Sequence, residues 1–364
     1  MLFQVGALLG DRFLLPLFGV AISSILVIVA IKNEFGSIKL EKYSCSVVLL
    51  WFALVTIFCI GSVSFFDLLF NIVKVSVALL SFFAAYNLFV RLDDEYLGSI
   101  VHFILITVIV FLSIELLIRL QLAGGNVFQL LDRNFYLLKI NSPFFIDSNA
   151  VGIYATLMLS LCFIFSRYLT RKKFLLYCIV ISFFIVTSLS RSAYVATIFL
   201  ILYYIYNLSH ISLKYFMVCI FIFSLLILVP SAIDIIGSDG SGSTKLIIYS
   251  TILDKMENIP VLDILFGIGI EHGNYLYSYR DGMYSHAFIP MLLGEVGILG
   301  TVCYLIFILY LWISDKNSIM LTFLPVFILG LSYITPFYET IFFVLGINVA
   351  IRNFKEVPLS KVTI

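Results

Sequence analysis

The residues best suited to chemistry in this chain are few and widely spaced. His286 opens an apolar run that also carries Glu295, Gly297, Gly300 and Thr301. On an ideal helix, positions eleven apart differ by about 20° of rotation. Gly297, Gly300 and Thr301 therefore share the His286 stripe, a small-residue face that another helix can approach closely. Glu295 points roughly the opposite way, and Pro290 fits the first turn of a helix that starts near His286. Four cations stand at the ends of apolar runs or in the polar loop: Arg119, Arg191, Lys245 and Arg280. A cation beside lipid is costly unless paired or hydrated, so each is a candidate functional group. Several around one cavity would bind a diphosphate, because guanidinium forks match phosphate oxygens.

Each residue also has a plainer role open to it. Arg119 can snorkel to the interface. Arg191 sits between Ser190 and Ser192, either of which can cap a helix while the arginine is solvated. Lys245 can be a surface lysine, and His286 a structural or interfacial histidine. Asp147 and Asn149 open an apolar run, as a helix cap or as a polar wall. Glu339, just after Pro336, is a carboxylate of the kind favoured at a helix N-terminus. His102 and Lys74 fall inside apolar runs with no evident partner, and His272 reads as solvated.

These residues need a membrane-embedded scaffold. The chain has 364 residues, 62% hydrophobic and 12% charged, with a mean hydropathy of +1.13. That composition excludes a soluble domain and predicts a single all-α integral membrane domain over 1–364. Apolar spans are expected at 13–31, 45–65, 68–90, 100–120, 150–166, 174–189, 192–208, 215–233, 286–312, 319–335 and 338–351. That makes about 11, within a range of 10–12. No cleavable signal peptide is evident. Lysines and arginines in alternate loops place those loops and the C-terminus in the cytoplasm. The 121–149 loop and the large 234–285 loop then lie outside. Within the large loop, 245–258 has an amphipathic pattern with Leu246, Tyr249, Leu253 and Met256 on one face. A flexible Gly237–Ser243 lead-in precedes it, and a tight turn at Leu265-Phe266-Gly267-Ile268-Gly269 follows. The six cysteines all lie in apolar spans and read as packing residues. No acidic cluster or histidine pair suggests a metal.

The order of these motifs resembles a known family. An Asp-x-Asn span entry (Asp147, Asn149) is followed by a Ser-Arg-Ser-Ala turn (Ser190 to Ala193). A large loop with a basic residue comes next, then a Leu-x-Gly-x-Gly turn (Leu265, Gly267, Gly269). Last is His-x10-Gly-x-x-Gly-Thr (His286, Gly297, Gly300, Thr301). Residues 140–350 thereby resemble the O-antigen polymerase and ligase superfamily, the Wzy and WaaL proteins. The resemblance implies a GT-C-like glycosyltransferase of the inner membrane that uses undecaprenyl-diphosphate-linked oligosaccharide at the periplasmic face. It implies that Arg191 and Lys245 hold the donor diphosphate, with Arg119 and Arg280 as further candidates. His286 and Glu339 are the candidate catalytic groups. Asp147, Asn149, Glu295, Gly267, Gly269, Gly297 and Gly300 would shape the cavity. Two positions depart from the pattern: Lys245 replaces the usual loop arginine, and Ala287 replaces a polar amide.

Glycosyl transfer from a lipid diphosphate needs cations for the leaving group and a base for the acceptor hydroxyl. The residues fit metal-independent, inverting transfer without a cofactor. The expected partners are the lipid-linked glycan, membrane lipid and a chain-length regulator, with no nucleic acid. A polymerase is favoured. A ligase passing glycan to lipid A-core is the alternative, and a lipid-linked oligosaccharide flippase is a weaker rival, because the charges collect at span ends and not along mid-membrane faces.

Overall fold

The computed structural model describes residues 42–124, 142–145, 147–208, 240–280, 283–285, 287–314, 316–331 and 334–353, with a few isolated positions before 42 and at 138–139. The expected spans at 13–31 and 215–233 lie mostly or wholly outside the described residues. So does His286.

The described residues are helical, with no strand among them. The helices are α1 (Lys42–Gly61), α2 (Phe65–Phe89), α3 (Asp94–Leu122), α4 (Ser148–Ile164), α5 (Arg171–Thr187), α6 (Arg191–Leu208), α7 (Gly240–Met256), α8 (Val261–Phe266), α9 (Ile270–Leu276), α10 (Phe288–Ser314), α11 (Lys316–Gly330) and α12 (Glu339–Asn353). By length and composition α1, α2, α3 and α10 can each cross a membrane. Shorter apolar helices occupy 148–164, 319–330 and 339–351. The chain is thus a helical protein built for a membrane, because apolar runs of this length bury every backbone polar group internally.

Helix ends follow ordinary capping chemistry. The Ser64 side chain accepts from Asp67 N–H at the start of α2, and Asp147 accepts from Ala150 N–H at the start of α4. Pro290 falls in the first turn of α10, where its missing N–H costs nothing. The most extensive helix pair is α2 with α12. Gly346 makes that approach close, since a Cβ there would lie 2.5 Å from Phe82 O. α4 is almost wholly buried and packs on α5, α6 and α11.

The large loop differs from expectation in two ways. It is mainly helical, with α8 and α9 flanking the tight turn, and α7 starts at Gly240, inside the expected flexible lead-in. On α7, Tyr249 and Met256 of the expected apolar face are half-buried. Ile248 is buried and Lys245, Ile252, Lys255 and Met256 are half-buried, whereas Leu246 and Leu253 are exposed. The lysines lie on the inward face because their aliphatic stems pack while their ammonium groups reach past it. Lys255 Nζ donates to the Ser278 carbonyl.

Candidate functional site

Two clusters gather most of the residues that the sequence singled out. The first is built on the α5–α6 turn. α5 ends at Thr187, and Leu189 adopts φ 58, a left-handed conformation rare for a residue with a branched side chain. This sharp reversal places Arg191 at the first position of α6, where it is exposed. Ser190 Oγ accepts from Ala193 N–H at 3.4 Å, the expected cap for that helix.

Arg119 lies behind this turn. It is fully buried, its Nη2 donates to the Thr187 carbonyl at 3.0 Å, and its Nε is 3.6 Å from Glu115 Oε1. Ser142 Oγ donates to the same Glu115 oxygen at 2.9 Å and accepts from Phe145 N–H. Arg119 therefore neither snorkels nor lines an open cavity. It ties the entry to α4 to the exit from α5. The α4 start completes the cluster. Asn149 Nδ2 donates to Asp147 Oδ2 at 2.9 Å, while the other Asp147 oxygen caps the helix. Asp147 and Asn149 are a cap unit. Gly152, one turn on, meets the α5–α6 turn so closely that a Cβ would sit 2.7 Å from Ser188 Oγ.

The second cluster joins two glycine motifs far apart in sequence. α10 is kinked at Gly297, with φ 65 and ψ −172, a conformation essentially restricted to glycine. The break undoes the ideal-helix argument that put Gly297 on the His286 stripe. The Leu265–Gly269 turn packs into it, with Gly267 at φ 72 and Gly269 at φ 91. Ile268 N–H donates to Gly294 O at 2.9 Å and Gly269 N–H to Glu295 O at 3.1 Å. Backbone opened at the kink is thus satisfied by protein, as a low-dielectric site requires. A Cβ on Gly297 would lie 2.4 Å from Leu265 O, one on Gly267 2.6 Å from Glu295 O, and one on Gly294 2.0 Å from Gly273 O. The small-residue face thus receives a turn together with the short helix α9. Gly300 faces Ile57 of α1. Asn71 of α2 fastens the turn from the other side. Its Oδ1 accepts from Ile270 N–H at 2.9 Å, and its Nδ2 donates to Ser62 Oγ at 3.0 Å.

Beneath this cluster are buried charges. Lys74 Nζ lies 3.2 Å from Glu339 Oε1 at the α2–α12 contact, with the lysine side chain 8% and the glutamate 0% exposed. Glu339 also accepts from Ser81 Oγ through its backbone carbonyl at 3.1 Å. Glu295 of α10 is buried, within the electrostatic reach of Lys74, and its Oε2 has no hydrogen-bond partner. Sequence reasoning left Lys74 without a role and passed over Glu115 and Asn71. The i,i+4 spacing of Glu115 and Arg119 was a readable signal. The partners of Lys74 and Asn71 were not readable, because they come from distant helices.

The remaining candidates are placed separately. Lys245 is half-buried on α7, and Arg280 is exposed on the segment that follows α9. His272 pairs with Asp67 at 3.4 Å and is half-exposed, and His102 Nδ1 bonds Tyr177 Oη between α3 and α5. Cys162 and Cys178 approach to 3.7 Å between α4 and α5. Among the described residues no group of acidic, histidine or cysteine side chains could hold a metal ion. No family model, curated protein or solved structure matches the chain.

Proposed function

We propose that this chain is an O-antigen polymerase: a multi-span, GT-C-like glycosyltransferase of the bacterial inner membrane. It joins undecaprenyl-diphosphate-linked oligosaccharide repeat units at the periplasmic face. The observation that carries the reading is the convergence of motifs separated in sequence. The Leu-x-Gly-x-Gly turn seats in the Gly297 kink of α10, and the helix that Asp147 caps packs through Gly152 on the turn that precedes Arg191. In this reading Arg191, at the N-terminus of α6, and Lys245 take the donor diphosphate and stabilise it as the leaving group. His286 or Glu339 accepts the proton of the acceptor hydroxyl. Fixed cations supply the charge that a metal ion supplies elsewhere, and no cofactor takes part.

The test is a deletion strain complemented with wild type or His286→Ala, with lipopolysaccharide separated on a gel. The expected result on deletion is a core bearing one repeat unit and no ladder, restored by wild type only. Bare core with glycan accumulating on the lipid carrier would instead identify a ligase. An intact ladder in the deletion strain would remove both.

A further inference from the structure

The described residues 274–280 and 283–285 meet between α9 and α10. Ser285 N–H donates to Asn274 O at 2.9 Å, Asn274 Nδ2 donates to Tyr284 Oη at 2.5 Å, and Lys255 of α7 fixes the Ser278 carbonyl. Their base is rigid, because Gly273 and Gly294 bring the backbones of α9 and α10 into contact. Among them Asn274 Oδ1, Tyr277 Oη, Ser278 Oγ and Ser285 Oγ are all buried and all lack a hydrogen-bond partner, as does Tyr249 Oη on α7. The first four residues are between 0% and 4% exposed. Buried polar atoms are nearly always satisfied, so a concentration like this calls for a ligand or ordered water.

The chemistry of the set is specific. Every unpartnered atom belongs to a neutral group. Tyr277, Ser278 and Ser285 can donate and accept, and the Asn274 amide oxygen accepts. Burial, assisted by the nearby Asp263 carboxylate, holds the Tyr277 phenol above its ordinary range, so it stays protonated as a donor. Lys255 is engaged by the Ser278 carbonyl, and the unpartnered atoms themselves carry no charge with which to hold an anion or a metal ion. A neutral ligand with many hydroxyls matches them. Ring surface lies alongside: Tyr275 and Tyr279 are exposed, and Tyr275 packs edge-on to Tyr284 at 5.4 Å. Aromatic faces offer the apolar surface that sugar C–H groups cover.

We propose that Asn274, Tyr277, Ser278 and Ser285 form a carbohydrate-binding subsite and take hydroxyl groups of the acceptor glycan. The assignment of that glycan as acceptor rests on the polymerase reading.

The experiment uses the full chain purified in nanodiscs, and as probe the strain's own repeat-unit oligosaccharide released from its lipid by mild acid. Binding is measured by saturation-transfer NMR and calorimetry for wild type, Ser278→Ala, Ser285→Ala and the double variant, with thermal unfolding of each apo protein alongside. Each serine should contribute about tenfold in affinity. Because the hydroxyls are unsatisfied without ligand, the apo variants should melt at or above the wild-type temperature. Unchanged affinity would overturn the subsite. So would a fall in melting temperature that accompanies weaker binding, since the hydroxyls would then be structural. Failure of the wild type to bind also overturns it. The lipopolysaccharide gel of the deletion strain then separates the two failures: a lost ladder leaves the polymerase reading standing without this subsite, and an intact ladder removes both.

Discussion

Lys74 Nζ lies 3.2 Å from Glu339 Oε1, joining the middle of α2 to the first turn of α12. Both side chains are almost fully removed from solvent, and Glu295 adds a second buried carboxylate within reach of the same lysine. Removing one partner of such a pair strands the other charge. Lys74→Met should destabilise the protein by about 3–5 kcal/mol, and Lys74→Met with Glu339→Gln should recover most of that loss. Thermal unfolding in detergent checks both. A double variant as unstable as the single one would mean that the pair is not the source of the loss.

Glu295→Gln should behave in the opposite way. Its Oε2 has no hydrogen-bond partner, and one lysine cannot balance two buried carboxylates. Replacing the acid with its neutral isostere removes a desolvated group at little cost in shape. The expected melting temperature is equal to or above wild type, measured in the same assay.

These two predictions rest on contacts of different legibility. Part of the span pattern was readable, because an apolar run of sufficient length has one solution in a membrane. The expected runs at 45–65, 68–90 and 100–120 appear as α1, α2 and α3 within a few residues. The Gly267 and Gly269 turn was readable because glycine at that spacing marks backbone that other residues avoid. Its docking place was not, since only folding brings it to Gly297. On α7 the expected apolar face divides, with Tyr249 and Met256 half-buried and Leu246 and Leu253 exposed, because burial of Ile248 turns the helix by a partner that sequence does not show. α8 and α9 are too short to leave a periodic signal.

Arg191 and Arg119 should separate cleanly. Arg191 is exposed, so Arg191→Ala should leave the amount of membrane-inserted protein normal while abolishing long glycan on a gel. Arg119 is buried and braces Thr187, so Arg119→Ala should cost about 3–5 kcal/mol and lower the amount of folded protein. Comparing protein level with ladder length for both variants checks the division. A normal level for Arg119→Ala would show that the brace is dispensable.

Gly297→Ala should lose about 1–3 kcal/mol from backbone conformation alone, before its Cβ meets Leu265 O. The turn should then leave the kink. Limited proteolysis should cut the 260–285 region faster in the variant than in wild type. Equal rates would mean that the turn is held from the α2 side by Asn71.

Lys245→Arg should retain glycan assembly if charge is what matters, and Lys245→Ala should lose it, by the same gel. Equal activity of the two would reduce Lys245 to a packing role on α7.

The clasp of Asn71 on Ile270 also dictates the order in which the protein can be completed. Its halves are 199 residues apart, and Ser81 meets the Glu339 carbonyl across 258. At typical ribosome speeds, the second gap corresponds to about 10–50 s of synthesis. During that interval α2 is already made, and Lys74 has no Glu339 to meet. The nascent chain must be sheltered through this wait by insertion machinery, by water at the membrane surface or by delayed entry of α2. Contact with α12 is therefore what completes the setting of α2.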